Sequence, residues 1–541
     1  MTSLRTGEGR GNRPSLDVTA RGDVDLLHGK AVGLMGVLFL TVTGAAPITA
    51  MLLNVPIVVG NGVGRGAAGA FLVATLILLV FSIGYAAMAG KVSAVGGFYS
   101  FISHGLGREL GMGMGFAAVV AYSVFEPSLA GGFAYFANLK LAQFGIDVPW
   151  PWLALAMVVL VSLLTCLDVT ISTAVLGAAL VAEVAMLLVF DIGVFAHTGH
   201  GAVVTAAALN PANAFIGYAG NPSAKLAAGA AGIGLFFAFW SWVGFESAPN
   251  YAEESRDPKR IVPLSLYISV LLLGALYTIT AWAATSGYPD TDASVTAATA
   301  NAAAYFFTTS DKLISPWATV LMSYLILTGS FACGMAFHNT ASRYLYSLGR
   351  EEILPKALGR THKRFKTPHV ASFVQTGASI VVVLLFAYFG GTNDPNTQAY
   401  GELYGLMALL GTIIILVAQA VVSIAIVVYF RREHPGDHHR LKTMVAPALA
   451  FASQAVVVYL CLTNMDFLGG GFSFARWIPW IDLLVLVLGI AGAFHLKRSS
   501  PSRYEKIGRM IYEGFPDGGD GPMRGAETAG ALRRPSPAKA P

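Results

Sequence analysis

Three glutamates lie inside long apolar stretches of this chain, at Glu126, Glu183 and Glu246. Apolar surroundings disfavour a charged carboxylate and therefore favour its protonated form. Such a side chain could take up a proton on one side of a barrier and release it on the other. The three glutamates are accordingly the candidates for proton coupling.

Two of the apolar stretches are interrupted by residues that break helices. The first interruption is Thr43-Gly44-Ala45-Ala46-Pro47, where glycine eases unwinding and proline removes a backbone donor and can begin a new helix. The second is Trp240-Ser241-Trp242-Val243-Gly244, two residues before Glu246. A helix end leaves peptide N–H and C=O groups without helical partners, so both interruptions could bind a polar solute.

Membrane helices are the elements that would position these residues. The chain has 541 residues, of which 55% are hydrophobic and 12% charged, whereas a soluble protein has about 25% charged residues. We therefore predict an all-α membrane protein with twelve transmembrane helices, because a run of about 20 apolar residues crosses a ~30 Å hydrocarbon layer. The twelve runs lie at 31–60, 67–89, 111–137, 152–167, 173–196, 230–252, 261–285, 315–345, 370–389, 403–430, 445–464 and 478–495.

The distribution of Lys and Arg predicts the orientation of these helices. With the amino terminus inside, the outer connections hold only five of the 35 basic residues. Basic residues concentrate in cytoplasmic loops, so we expect a plasma membrane protein with both termini in the cytoplasm. The formal net charge of +5 is explained by basic inner loops that face anionic lipid, and no nucleic acid partner is expected.

Neither cysteine spacing nor sequence motifs indicate an enzyme. Cys166, Cys333 and Cys461 lie in or at the ends of apolar runs, and their spacing matches no disulfide framework or metal site. We find no phosphate-binding glycine loop and no hydrolase motif, and expect no cofactor or metal. Residues 1–29 form a polar amino-terminal tail, and residues 497–541, rich in Gly, Pro and Arg, are predicted to be a disordered carboxy-terminal tail.

The two interruptions fall in the first and sixth apolar runs, five runs apart. Irregular backbone at membrane depth is tolerated only where it is buried in protein or lines a cavity. Interruptions at corresponding positions of two halves are typical of inverted-repeat transporters and mark their binding sites. Ordinary Gly and Pro kinks are the alternative, since both residues are common in membrane helices.

Three further segments resemble motifs of the amino acid–polyamine–organocation family of permeases. Gly96-Gly97-Phe98-Tyr99 resembles the GG-x-Y motif that precedes the third span. Gly244-Phe245-Glu246-Ser247, continued by the residues from Glu253 to Pro263, resembles the sixth-span signature, and Asn339–Pro355 resembles the end of the eighth span. The resemblance covers roughly residues 30–496. Most members carry Gly-Ser/Ala-Gly in span one, where this chain has a single glycine followed by two alanines and a proline.

The resemblance implies a leucine-transporter-like fold of two inverted five-helix repeats, with helices 1 and 6 broken, plus two extra helices. In this chain the repeats correspond to residues 30–196 and 229–430, and the extra helices to residues 442–496. It also implies that the solute is held between the unwound spans one and six, with spans three, eight and ten around it. Alternating access would be driven by a proton or substrate gradient.

We expect the solute to bind mainly to the backbone of both breaks. N–H groups at a helix start suit a carboxylate, and unwound carbonyls suit an ammonium group. The hydroxyls of Thr43 and Ser241 could add contacts or only cap their helices. The expected contacts are Thr43, Gly44, Ala45, Ala46, Pro47, Trp240, Ser241, Trp242, Val243 and Gly244.

One of these residues, Trp240, is also the predicted outer gate. It matches a tryptophan that covers the substrate in an arginine/agmatine exchanger of the family, and a flat aromatic ring suits a cationic amine. The alternative is a core aromatic side chain, which is the favoured role of Trp242.

Each glutamate also has a purely structural alternative. Glu246 matches an acidic position linked to coupling in some family members, and it could equally cap the second half of span six. Glu126 could face the pocket or be a protonated acid bonded to a neighbouring helix. Glu183 lies on the span where some proton-coupled relatives carry a lysine. His338 is expected to be a core histidine rather than a proton relay, and residues 253–260 could form inner-gate ion pairs or a solvated turn.

The predicted function is a secondary active transporter that imports amino acids in symport with protons. Its partners would be a small-molecule substrate, a co-transported proton and the lipid bilayer. The alternative is an amine or polyamine carrier or exchanger. A non-transporting nutrient sensor is more remote, because the tails of about 30 and 45 residues are short and low in apolar content.

Overall fold

A computed structural model of the chain describes residues 32–92, 96–166, 169–216, 227–436 and 439–508. Within these ranges the backbone is helical apart from turns, loops and two isolated bridges, Val32–Ser255 and Thr198–Ala202. The expected tail of residues 1–29 and residues 509–541 lie outside the described residues.

The α-helices of the described chain are, in order, α1 (Leu34–Ala45), α2 (Pro47–Ile57), α3 (Ala67–Ala89), α4 (Gly97–Leu106), α5 (Arg108–Ala142), α6 (Trp150–Thr165), α7 (Val169–Ala196), α8 (Ala227–Trp240), α9 (Pro258–Ser286), α10 (Thr291–Ala300), α11 (Tyr305–Leu313), α12 (Pro316–Arg350), α13 (His369–Phe389), α14 (Gly405–Glu433), α15 (Ala446–Thr463), α16 (Met465–Leu468), α17 (Ile478–Ser499) and α18 (Pro501–Lys506). Short 3₁₀ segments include Phe245–Tyr251, and wider π-helical turns lie at Val58–Val63, Thr397–Tyr404 and Leu441–Val445. Several helices begin with proline, among them α2, α9 and α12, because the first helical position needs no backbone donor.

Nine helical stretches in the described ranges are long and apolar enough to cross a membrane. The first stretch, Leu34–Ala89, holds α1 to α3, and its 56 residues are enough for two crossings of about 20 residues each. The shorter α6 is also apolar. The prediction of an all-helical membrane protein is confirmed at this level, and the number of twelve spans and the inverted repeat stay predictions.

Large apolar side chains cover the outside of this helix assembly. Exposed examples lie on α6, α7, α9, α13 and α17: Leu163, Ile192, Leu272, Phe389 and Leu488. An apolar surface of this extent is unfavourable in water and suits a hydrocarbon layer. Inside, α5 packs on α12, α14 and α17, and α3 packs on α9.

The first interrupted helix, formed by α1 and α2, packs on several of these inner helices. α1 packs against α7, α9 and α12, and α2 packs against the same three helices and α8. Helices from distant parts of the chain therefore surround the first break and can bond its open backbone groups.

The carboxy-terminal end differs from the expected disordered tail. Helix α17 continues to Ser499 and α18 follows it. Ile507 is fully buried, and the Gly508 N–H donates to the Tyr99 hydroxyl at 2.8 Å. Residues 497–506 are thus largely helical, and the backbone of Gly508 is bonded to α4.

Candidate functional site

The first break lies where α1 stops and α2 starts. Ala46 has φ 39° and ψ 76°, a left-handed conformation that no α-helix continues. Its N–H donates to Thr43 O at 3.0 Å, and Pro47 then opens α2 without a backbone donor of its own. The order Ala46-Pro47 thus ends one helix and begins another within two residues, as the sequence predicted.

Side chains of three other helices bond the open backbone groups of this break. The Tyr277 hydroxyl of α9 donates to Ala45 O at 2.8 Å, and the Cys333 thiol of α12 donates to Gly44 O at 3.2 Å. From α7, the Glu183 Oε2 accepts the Ile48 N–H at 3.2 Å. The expectation of free N–H groups at the start of α2 is therefore wrong for Ile48, because a carboxylate of the protein already occupies that position.

The second break is built largely by its own segment. Helix α8 ends at Trp240, and Gly244 has φ 121° before the 3₁₀ segment Phe245–Tyr251 begins. The Glu246 carboxylate turns back and accepts the Gly244 N–H at 3.0 Å, while the Ser247 hydroxyl donates to Gly244 O at 2.6 Å. From α5, the Tyr122 hydroxyl donates to Glu246 Oε1 at 2.7 Å.

The two breaks touch each other through their glycines. A Cβ placed on Gly244 would lie 2.6 Å from the carbonyl carbon of Gly44, and one on Gly44 would lie 3.2 Å from the Gly244 Cα. Real Cβ atoms do not come within 3.0 Å of such atoms. Only glycine at Gly244 allows the two unwound backbones to approach this closely.

A small cavity of about 20 Å³ lies beside this contact. That volume accommodates one water molecule and is too small for an amino acid, so this cavity must widen before it can hold a solute. The residues that line it are Gly44, Ala45, Ala46, Thr49, Ala50, Asn54, Leu129, Trp240, Ser241, Cys333, Phe337 and Tyr404.

A chain of hydrogen bonds joins four residues that line the cavity. The Trp240 indole N–H donates to the Tyr404 hydroxyl at 2.8 Å, and that hydroxyl donates to Asn54 Oδ1 at 2.8 Å. The Asn54 amide donates to the Ser241 hydroxyl at 2.8 Å. The indole ring also stacks on Phe337, with centroids 6.1 Å apart. Trp240 is thus held by both aromatic packing and a polar network that joins α2, α8 and the π-helical turn before α14.

The cavity contains half of the ten contacts expected from the sequence. The expected contacts that line it are Gly44, Ala45, Ala46, Trp240 and Ser241. The expected contacts that do not line it are Thr43, Pro47, Trp242, Val243 and Gly244. Trp242 is buried against Phe245 and Tyr277 instead, with ring centroids 6.1 and 5.3 Å away, which is the core alternative.

The remaining cavity residues follow helical spacing that sequence analysis could have used. Ala46, Ala50 and Asn54 are four residues apart, and residues at this spacing share one face of α2. Cys333 and Phe337 have the same spacing on α12. Extending the first break by a helical wheel would have found Asn54, whereas Leu129 and Tyr404 become neighbours only through tertiary packing.

Glu126 does not line the cavity, although the sequence left that possibility open. Its Oε2 lies 2.9 Å from His338 Nδ1 and accepts from the Gln375 amide at 2.9 Å and the Ser379 hydroxyl at 2.8 Å. The other ring nitrogen of His338 lies 2.7 Å from the Ser372 hydroxyl. This fully buried group joins α5, α12 and α13 and corresponds to the alternative of an acid bonded to neighbouring helices.

Ion pairs hold the segment that follows the second break against α12. Two nitrogens of Arg343 donate to Glu254 Oε2, Nη2 at 2.8 Å and Nε at 3.0 Å. Glu253 pairs with Arg350 at 2.9 Å, and the Val32 N–H donates to Glu254 O at 2.9 Å. Both glutamates are only 2% exposed, so the alternative of a solvated turn does not apply to them.

No group of three or more His, Cys, Asp or Glu side chains in the described ranges could hold a metal ion. The cavity lining contains no Lys, Arg or His. Backbone groups, hydroxyls, aromatic rings and the nearby carboxylates are thus the groups that the site offers to a ligand.

Comparison with known proteins places this chain among permeases. A family model described as amino acid permease matches residues 32–489. The chain is 21% identical to the branched-chain amino acid permease BcaP of Bacillus subtilis over 486 residues, which are 84% of this chain and 93% of that protein. It is 22% identical to a methylthioribose transporter of B. subtilis over 80% of this chain and 86% of that protein. It is also 21% identical to the low-affinity putrescine importer PlaP of Escherichia coli over 59% of this chain and 66% of that protein.

Proposed function

This chain belongs to the amino acid permease family, and we propose that it is a secondary active transporter that imports a small solute carrying an amino group by alternating access. The contact of the two unwound backbones beside a small cavity is the observation that carries this proposal. According to their names, these relatives are a branched-chain amino acid permease, a putrescine importer and a methylthioribose transporter. Amino acids and putrescine carry an amino group, so amino acids and amines are the two solute classes to test first.

Bonded groups near the two breaks suggest how access alternates. On one side, Trp240, Tyr404 and Asn54 must part before a solute can enter from outside. On the other side, Arg343 must separate from Glu254 before the solute can leave to the cytoplasm. Both barriers join the segments next to the breaks to α12 or to the turn before α14, so rocking of the broken helices against these elements would open one barrier at a time.

We assign proton coupling to Glu246 first. Its carboxylate accepts the Gly244 N–H and the Tyr122 hydroxyl, and both bonds require an acceptor. Protonation removes part of that acceptor capacity, which would loosen the Gly244 turn at its contact with Gly44. Protonation of Glu246 would thereby change the shape of the solute-binding cavity. Glu183 and Glu126 are the further coupling candidates.

The central test is uptake by the purified full chain in proteoliposomes. Labelled amino acids and labelled putrescine are offered under an imposed inward proton gradient, with a protonophore as control. We expect one of these solute classes to accumulate above its external concentration and the protonophore to remove the accumulation. Binding without flux for every member of the panel would contradict transport and favour a sensor.

We also propose twelve spans with both termini in the cytoplasm of a plasma membrane protein. The two interrupted helices would then be the first span of each inverted repeat, which is where such transporters place their site. A carboxy-terminal green fluorescent protein fusion is expected to fluoresce, and an alkaline phosphatase fusion at the same position to be inactive. The reverse result would contradict this orientation.

A further inference from the structure

The start of α2 is occupied by a carboxylate of the protein itself. Glu183 of α7 is fully buried, and its Oε2 accepts the Ile48 N–H at 3.2 Å. The N-terminus of a helix is the place where a membrane transporter would bind a solute carboxylate, because N–H groups and the positive end of the dipole meet there. In this chain a side chain has taken that place.

The neighbouring backbone groups leave little room for a second anion. The Ala46 N–H donates to Thr43 O, and Pro47 has no N–H. The Ile48 N–H is the one bound by Glu183. These three consecutive residues therefore provide no free donor for a solute carboxylate, which leaves the Thr49 N–H as the one open donor of this first turn. The cavity lining contains no Lys, Arg or His that could compensate a negative charge.

The second oxygen of Glu183 is buried without a hydrogen-bond partner, and so is the hydroxyl of Thr49. Both atoms pack against Gly329 of α12, since a Cβ added there would lie 2.7 Å from the Thr49 hydroxyl and 3.0 Å from Glu183 Oε1. Thr49 itself lines the cavity, whereas Glu183 lies behind that lining. A carboxylate oxygen and a hydroxyl that are both unpaired and packed on the same residue are suitable acceptors for an ammonium group when the cavity widens.

Part of the cavity wall is aromatic. Trp240, Phe337 and Tyr404 form this aromatic wall, and the centroid of the Phe125 ring lies 4.7 Å from that of the indole. Aromatic faces attract cations and offer nothing to an anion. A solute with a carboxylate would instead stand close to Glu183, and two carboxylates so close cannot both stay ionised.

We infer that the solute is a cationic amine without a carboxylate, whose ammonium group binds to Glu183 Oε1 and the Thr49 hydroxyl. This inference rests on the proposed function and selects between its two solute classes. Glu183 supplies the negative charge that the solute lacks, and the aromatic wall packs against its alkyl chain.

Two matched pairs of solutes test the inference directly. Putrescine and ornithine differ by one carboxylate, and so do isobutylamine and valine. Binding to the detergent-purified full chain is measured by thermal shift and calorimetry, and uptake is measured in proteoliposomes. We expect each amine to bind at least on the order of tenfold more tightly than its amino acid, a difference of about 1.4 kcal/mol.

The outcomes separate the inference from the proposed function. Amine binding with amine uptake supports both, and amine binding without uptake supports the inference while contradicting transport. Uptake of ornithine or valine in preference to the matched amine overturns the inference and keeps the transporter. If no member of either pair binds or moves, both are wrong.

Substitutions then locate the ammonium group. Glu183→Gln removes the charge and keeps the size, so amine affinity is expected to fall on the order of tenfold or more while the preference over ornithine disappears. Asp191→Asn is the matched control, since Asp191 is also buried on α7 but bonds to Thr280. Unchanged amine affinity in Glu183→Gln overturns the inference.

A second variant tests the inference if Glu183→Gln does not fold. Thr49→Val keeps the volume of the side chain and removes only the hydroxyl, and it is expected to weaken amine binding several-fold. Thr299→Val is its control, because the Thr299 hydroxyl on α10 bonds to Val295 O in its own helix. Equal amine affinity in both threonine variants would speak against the site.

Discussion

The break between α1 and α2 is held by side chains of three other helices, whereas the break after α8 is held mainly by its own segment. At the first, Tyr277, Cys333 and Glu183 bond the open backbone from α9, α12 and α7. At the second, Glu246 and Ser247 bond Gly244 from within five residues of the chain. Similar interruptions of two membrane helices are therefore stabilised by different means.

This difference indicates what each break can respond to. A locally bonded turn keeps its shape when neighbouring helices move, so the segment of the second break can move as a rigid body. The first break changes its bonding whenever α7, α9 or α12 moves relative to it. We therefore expect the hydrogen bonds of the first break to change with the conformation of the whole protein. The bonds of the second break should change when Glu246 gains or loses a proton.

Gly244→Ala is expected to have the largest effect, because it separates the two breaks. A side chain in a left-handed conformation costs roughly 1–2 kcal/mol, and the new Cβ would collide with Gly44 at 2.6 Å. Uptake is expected to fall on the order of tenfold or more, together with the melting temperature. Both are measured on purified protein and in proteoliposomes.

Gly145→Ala is the matched control for this variant. Gly145 has φ +70°, and a Cβ added there would have nothing within 4 Å, so this substitution introduces the backbone strain without the collision. Equal losses in the two variants would mean that the contact with Gly44 is unimportant.

Glu246→Gln comes next and tests whether the second break carries the switch. Glutamine can still accept the Gly244 N–H but cannot gain or lose a proton. Solute binding is expected to stay measurable, while accumulation driven by a pH gradient falls to the level of vesicles without a gradient. Glu402→Gln is the control, because Glu402 is a buried glutamate that bonds Gly391 and does not line the cavity. Undiminished accumulation in Glu246→Gln would remove this residue from coupling.

Tyr404→Phe should have a smaller effect. It breaks the hydrogen-bond chain that joins Trp240, beside the second break, to Asn54 on α2. It leaves the Trp240 N–H and Asn54 Oδ1 without their partner, and a buried group left unpaired costs about 1–3 kcal/mol. We expect faster release of preloaded solute from vesicles, because the outer barrier opens more readily. Tyr388→Phe, at an 83% exposed position of α13, should release solute at the normal rate. Identical release from both variants would contradict a gating role of the network.

Tyr277→Phe is expected to have the smallest effect and tests whether the first break depends on its neighbours. It removes the bond to Ala45 O, which contributes about 0.5–1.5 kcal/mol, so solute affinity should fall a few-fold. Tyr267→Phe on the same helix is the control, since its hydroxyl is 3.5 Å from its partner Ile83 O. A larger loss of solute affinity in Tyr267→Phe would show that the bond from Tyr277 to Ala45 O does not contribute to solute binding.

The positions of both breaks follow from the sequence alone. Pro47 and Gly244 act on the backbone of their own neighbours, and such local effects do not depend on the rest of the chain. The same holds for the membrane class, which depends on the length and polarity of the apolar runs. The family followed from short motifs around Gly96 and Gly244, and a family model now covers residues 32–489.

The partners of the three glutamates were decided only by the tertiary structure. Glu183 meets Ile48 across 135 residues of chain, and Glu126 meets His338 across 212. Helix packing brings these residues together, and the sequence pattern of single helices does not determine which helices become neighbours. Glu246 is the exception, because its carboxylate bonds Gly244 only two residues away. Contacts set by neighbouring residues could thus be predicted from the sequence, whereas contacts across the helix bundle needed the fold, since its packing determines which buried groups find partners.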